Sequence, residues 1–176
     1  MRILDATCGM KSMWYQKNHP LVTFLDKRNG VINTLQNGNK LVTRRTVRIY
    51  PDVVADWTAD LPFDNEYFDM VVFDPPHIIR RQERKTGIME LKYGFLYEDS
   101  YKQELKKGIS ELFRVLKDQG VFIFKWCETD RDVSEVLPLF PFRPLFGTRT
   151  GQKNNVHWIV FLKYCFEMDL ENWIEV

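Results

Sequence analysis

Residues 68–77 read FDMVVFDPPH. Phe68 to Phe73 is an apolar run of the length of a buried strand. Asp74 ends it. Pro75 and Pro76 then fix the backbone and offer no N–H donors, so a strand ladder stops there. The corner leaves a carboxylate, a rigid carbonyl and a planar imidazole, His77, at the carboxyl end of a strand. In an open α/β sheet that end is where ligands bind.

Three more acids close three more strand-like runs. Ile3 and Leu4 lead into Asp5-Ala6-Thr7-Cys8-Gly9, a short strand and a turn. Leu21–Leu25 is a second strand that ends at Asp26. Asp52–Asp56 is a third, followed by Trp57. A lone Asp in such a place is usually a turn or cap residue. Four in series at one edge form a pattern. An acid at the end of the second strand is the usual partner of two ribose hydroxyls, one for each oxygen.

The first turn has Gly9 but no GxGxxG. A dinucleotide needs those glycines to bring its pyrophosphate onto a helix N-terminus. Met10, Lys11, Ser12, Met13 and Trp14 stand there instead. A nucleoside without phosphates, such as the adenosyl part of S-adenosylmethionine, fits this turn better. The DPPH corner would then face the sulfonium methyl. Asp74 and the Pro75 carbonyl would accept the two N–H bonds of an exocyclic amine and hold it in line. His77 would offer a face on which a base stacks.

The remaining chain is read more coarsely. A brief helix is expected over Ser12–Lys17. Between Lys27 and Arg48, the turn pairs Asn29-Gly30 and Asn37-Gly38 predict a hairpin or a degenerate connection where a βαβ unit has a helix. Leu105, Ile109, Leu112, Phe113 and Leu116 predict a helix over Ser100–Lys117, closed by Gly120. Val121–Lys125 is a fifth strand. A short helix spans Asp132–Leu137. Leu145–Thr150 and Val156–Lys163 form a final hairpin. Residues 78–98, charged and with Gly87 and Gly94, read as a mobile substrate loop that orders on binding.

These motifs resemble a class I S-adenosylmethionine-dependent methyltransferase, of the amino-methyltransferase group with a (D/N)PP(aromatic) motif. The likeness spans nearly the whole chain. ILDATCG resembles the cofactor loop, LVTFLD the ribose-binding strand, ADWTADLPF the adenine-side segment and FDMVVFDPPH the catalytic strand. Small stand-alone DNA-methyltransferase-like proteins of bacteria and phages are similar, notably at KYGFL and LFRVLKDQGVFIFKW. The resemblance implies one Rossmann-like domain, residues 1–176. Its sheet would be seven-stranded and mostly parallel, with a terminal antiparallel hairpin and helices on both faces.

It further implies S-adenosyl-L-methionine as cofactor. Asp5, Ala6, Thr7, Cys8, Gly9, Asp26, Lys27, Asp56 and Trp57 would hold it. Asp74, Pro75, Pro76 and His77 would do the chemistry on a base amine, first of all adenine N6. Guanine N2 of RNA, a protein glutamine amide and a catalytically silent cofactor-binding module are the alternatives. The sequence departs from the group in having one glycine in the cofactor loop and His77 for the commoner Tyr, Phe or Trp. No separate target-recognition domain is recognisable, which makes a partner subunit or a homodimer plausible.

Charge points to nucleic acid only locally. The net charge is +1 over 176 residues, with 28% charged and 44% hydrophobic. Lys27, Arg28, Lys40, Arg44, Arg45 and Arg48 nevertheless fall in a stretch with no acid between Asp26 and Asp52. Arg80, Arg81, Arg84 and Lys85 crowd the segment after DPPH, and phosphate contacts need such groups. Tyr93 and Phe95 are candidates to stack beside a displaced base. Cys8 and Cys127 read as inert small side chains. Three cysteines without CxxC spacing and three histidines predict neither a disulfide framework nor a metal site. A cytoplasmic protein without a signal peptide or membrane contact is expected.

Overall fold

The computed structural model describes residues 1–37, 42–81, 87–151 and 155–164. Its centre is one seven-stranded sheet. The first strands are β1 (Ile3–Asp5), β2 (Val22–Asp26), β5 (Val53–Val54) and β6 (Phe68–Phe73). The rest are β9 (Leu116–Cys127), β10 (Phe146–Thr150) and β11 (Val156–Leu162). They lie in the order β10-β11-β9-β6-β1-β2-β5. β5, β2, β1, β6 and β9 run parallel, β11 runs against them, and β10, antiparallel to β11, runs with them again. Strand order reverses beside β1. β1 and β6 are neighbours there, so the Gly9 turn and the Asp74 corner open into the same crevice.

Side chains alternate across the sheet and divide the core. Leu4, Leu25, Val71, Phe73, Phe122 and Phe124 face α2 (Tyr101–Val115) and belong to the main core. Phe113 of α2 stacks on Phe122 at 4.6 Å, and Phe140 stacks on Phe161 at 4.3 Å. α3 (Val133–Val136) and the 3₁₀ turn Leu137–Leu139 close the same side. Cys8, Val22 and Phe24 form a small second cluster with Ile3 and Trp14 on the opposite face. No described helix covers that cluster. Turns take the place of the expected helix at 12–17, and Trp14 packs edge-on against Phe24 at 5.4 Å. The layer of helices expected on both faces is thus present on one. The Trp14 indole bonds to buried Asp5 at 2.6 Å, a tertiary contact that outweighs local helix propensity.

The link from β2 to β5 is a hairpin, β3 (Gly30–Asn37) and β4 (Val42–Ile49), paired from Gly30↔Ile49 to Asn37↔Val42. The described residues of 78–98, which are 78–81 and 87–98, are more regular than a loop. β7 (Ile79–Arg80) pairs in parallel with β8 (Leu96–Tyr97), and α1 (Ile88–Tyr93) stands between them. α2 ends at Val115 and runs straight into β9, so Gly120 does not close it. Gln119 takes the positive φ, 60°. Gly120 is needed for space instead, since a Cβ there would lie 2.6 Å from Leu116 Cδ1 and 2.7 Å from the Lys117 carbonyl.

Candidate active site

Two clefts meet at the end of β6. The first is lined by Ala6–Gly9, Asp26, Lys27, Arg28, Trp57, Asp74, Pro76 and Lys92–Gly94. The second is lined by Pro75, His77, Met89, Lys125, Cys127, Val156 and Trp158. Ser12, Met13, Asp74 and Tyr93 belong to both. Nearly all the sequence-predicted cofactor residues gather in the first cleft, and the DPPH corner divides it from the second.

The corner is held from three sides. The Asp74 N–H donates to Thr7 Oγ1 at 3.0 Å, which ties it to the β1 turn. Gly94 ends α1 with φ 81° and lies against Pro76, where a Cβ would come within 3.0 Å of Cγ. Lys125 Nζ donates to Asp74 Oδ2 at 2.6 Å. Adjacent strand ends place that pair: Phe73 is in register with Phe124, so the next residues meet. The sequence put Lys125 at the border of the pocket but did not pair it with Asp74. With Oδ2 taken, Oδ1 remains for an incoming N–H. Burial lowers the His77 pKa, Lys125 adds to this, and Asp74 only partly opposes it. The ring is therefore neutral at pH 7. It lies 6.4 Å from Tyr93, tilted by 36°.

Asp5 is fully buried. Its Oδ2 accepts from Trp14 Nε1 at 2.6 Å and its Oδ1 from the Thr7 N–H at 3.1 Å. Burial raises its pKa to about 7. The two hydrogen bonds oppose this, and the neighbouring Asp74 and Asp26 add to it. Burial, with Asp5 and Asp26, likewise pushes the Cys8 thiol up to about 12, so it is inert.

Asp26 carries four hydrogen bonds. Oδ1 accepts from the Arg28 N–H and Nε, and Oδ2 from the Gly9 N–H and an Arg28 guanidinium nitrogen, all between 2.9 and 3.0 Å. That saturates a carboxylate. Arg28 also donates to the Leu91 and Lys92 carbonyls, at 3.2 and 3.1 Å, and so ties Asp26 to α1. The sequence did not single out this latch, although Arg28 stands two residues beyond Asp26. Asp56 sits at the end of β5. Burial raises its pKa, but Thr58 and Lys27 outweigh that and hold it below the usual carboxylate range. Trp57 is buried against Phe73 and over Gly108, where any Cβ would meet its ring at 2.1 Å.

The expected phosphate contacts divide. Arg80 is turned inward. It makes a bidentate pair with Glu90 at 2.9 and 2.8 Å, with both side chains buried, and its guanidinium lies 3.6 Å above Phe95. This pair clamps α1 to β7, so Arg80 and Phe95 are committed to structure. Arg81 is exposed and bonded to Glu98 at 2.7 Å. Arg84 and Lys85 lie outside the described residues, as does Lys40. Tyr93 lines both clefts as expected. His157 lies 3.1 Å from Glu128 and lines neither cleft. Among the described residues no group of acids, cysteines and histidines is placed to hold a metal, and no helix is long and apolar enough to cross a membrane.

Solved structures share this architecture. An S-adenosylmethionine-dependent methyltransferase from Methanosarcina mazei superposes with a TM-score of 0.53 at 14% identity, over 93% of this chain and 92% of that one. This chain has the S-adenosylmethionine-dependent methyltransferase fold. A methyltransferase of the same cofactor from Leishmania major gives 0.52 at 12% identity, over 91% of this chain and 64% of that one. A Pyrococcus horikoshii protein gives 0.51 at 14% identity, over 92% and 81%. At these identities the likeness is one of fold. No protein-family model matches the sequence, and neither does any curated protein.

Proposed function

We propose that the protein transfers a methyl group from S-adenosylmethionine to an exocyclic amine of a nucleic-acid base, with adenine N6 as the acceptor. The observation that carries this is the position of Asp74-Pro75-Pro76-His77 on the wall between two clefts. The first cleft suits the cofactor. It has a buried acid at the second strand end and a turn without a phosphate cradle. S-adenosylmethionine bound there supplies an electrophilic methyl on a sulfonium.

The second cleft takes the base. Neutral His77 and Tyr93 offer ring faces, and Trp158 stands on another wall. Asp74 Oδ1 accepts one N–H of the amine. The Pro75 carbonyl, which has no hydrogen bond among the described residues, accepts the other. Held this way, the amine lone pair points toward the first cleft, and the charge that develops on nitrogen meets two oxygens. No strong base is needed, because the methylated amine is already acidic. For Asp26 to receive ribose hydroxyls, Arg28 must swing off it, which would also release α1.

The test is transfer of labelled methyl to three pools: duplex and single-stranded DNA, total RNA, and protein extract. Label in DNA, recovered after digestion as N6-methyladenine, is the expected result. Label confined to RNA or protein would overturn the acceptor assigned here.

A further inference from the structure

Arg28 joins the two clefts. Its Nε and one terminal nitrogen form a fork on the two oxygens of Asp26, each bond 2.9 Å long. Its other terminal nitrogen donates to the carbonyls of Leu91 and Lys92, at 3.2 and 3.1 Å. Those carbonyls lie in the last turn of α1, where a helix leaves acceptors without intrahelical donors. One guanidinium thus holds the carboxylate of the first cleft with one side and the end of α1 with the other. The Arg28 side chain is only 26% exposed, so its charge depends on Asp26.

The end of α1 carries Tyr93, which lines both clefts. Its ring centroid stands 6.4 Å from that of His77, and the two planes are tilted by 36°. Carbon surfaces in contact lie about 3.5 Å apart, so a base stacked between two rings needs about 7 Å and parallel faces. The slot between His77 and Tyr93 is therefore too narrow and too skewed for a base in this state. The remaining attachments of α1 leave its end free to move. Glu90 is clamped to β7 through the buried Arg80. Gly94, with φ 81°, rests on Pro76 without a side chain of its own and can serve as a pivot.

We infer, on the reading of the first cleft as the cofactor site, that Arg28 is a latch that keeps the acceptor slot shut until the cofactor is bound. Ribose hydroxyls compete with Arg28 for the two oxygens of Asp26. Once they take them, the guanidinium has lost its carboxylate and moves out to water. The Leu91 and Lys92 carbonyls lose their donors, and the end of α1 carries Tyr93 away from His77. The cofactor binds first and the base second, so no amine meets Asp74 before a methyl donor is in place. By linkage, a base in the slot strengthens cofactor binding by the same factor.

The test follows amide hydrogen exchange over residues 87–95 by mass spectrometry, with and without S-adenosylhomocysteine, in the wild type and in Arg28→Met. Calorimetry measures S-adenosylhomocysteine binding to both chains. Fluorescence anisotropy of a short single-stranded DNA with one central adenine measures acceptor binding in the same four states. The latch predicts that S-adenosylhomocysteine speeds exchange over 87–95 in the wild type and tightens the DNA by about threefold. Arg28→Met should exchange fast, and should bind the DNA, without S-adenosylhomocysteine, as tightly as the wild type does with it. S-adenosylhomocysteine that binds but leaves 87–95 unchanged, or protects it, would overturn the latch and leave the proposed activity standing; this wild-type comparison decides even where the variant does not fold. Coupling of wild-type size in Arg28→Met would overturn Arg28 as its carrier. Faster exchange with no DNA binding in either chain would support the latch and overturn the nucleic-acid acceptor. A wild type that does not bind S-adenosylhomocysteine would overturn the latch and the proposed function together.

Discussion

The sheet is thick on one side of the reaction and thin on the other. Over β6 and β9 lies α2; Phe113 stacks on Phe122 and Phe140 on Phe161, and Phe122 meets Phe140 and Phe161 edge-on. Over β1 and β2, on the opposite face, lie turns pinned by one indole, Trp14, bonded to a buried acid. The strands that α2 backs carry the rigid parts, Asp74 and its partner Lys125, at neighbouring ends. The thin side carries the parts that must give way, namely the Gly9 turn, the Arg28 latch and the start of the hairpin. An amine must be aimed within a fraction of an ångström, so its holder sits on packed strands. A cofactor must enter and leave, so its walls are turns and a short helix.

The sharpest way to break this contrast is to hollow the thick side. Phe122→Ala removes a fully buried ring that touches Phe73, Phe113, Phe140 and Phe161. We expect a loss of about 3–5 kcal/mol in denaturant unfolding. A loss below about 1 kcal/mol would mean that the aromatic stack is not the scaffold.

The thin side should respond to pH instead. Asp5 has a folded pKa of about 7 against 3.8 in the unfolded chain. Its contribution is fully present below pH 4 and is lost as pH rises through 7. From pH 5 to 8, stability should fall by about 2–3 kcal/mol on this account, and Asp5→Asn should flatten that slope. The part of the tryptophan emission that Trp14→Phe abolishes should titrate near pH 7. An unchanged slope in Asp5→Asn would show that other groups set the pH dependence.

Lys125→Met tests whether the packed strands also aim the acid. Asp74 would keep its charge but lose the bond that fixes its rotamer. A fall in kcat of about tenfold with little change in KM is expected, equal to about 1.4 kcal/mol in the transition state. A rise in KM with unchanged kcat would make Lys125 a binding residue. The smallest effect belongs to the latch. Arg28→Met frees Asp26 for the ribose, so affinity for S-adenosylhomocysteine should rise by about threefold, under 1 kcal/mol. Weaker binding would mean that Arg28 contacts the cofactor.

The sequence made the strands legible because each is an apolar run stopped by an acid or a turn pair, and these signals are local. Asp5, Asp26, Asp56 and Asp74 do end four neighbouring strands. The hairpin was legible from Asn-Gly pairs without helical periodicity. The expected helix at 12–17 failed because Trp14 finds Asp5, a tertiary bond that outweighs local propensity. Arg80 failed as a phosphate contact for a similar reason. An Arg after a rigid corner looks solvent-directed, but Glu90, ten residues on, and the Phe95 ring draw it inward. The Lys125–Asp74 and Arg28–Asp26 bonds join residues by register and side-chain reach, and neither appears as a motif.

The account turns on Asp74 standing between a cofactor and an amine. The direct measurement pairs labelled methyl transfer to duplex DNA with calorimetry of S-adenosylhomocysteine, for the wild type and Asp74→Ala. Loss of transfer by a factor on the order of 10²–10³, with cofactor affinity within about threefold of wild type, is the predicted result. Transfer that survives the substitution would contradict the account, because the amine would then be held somewhere else.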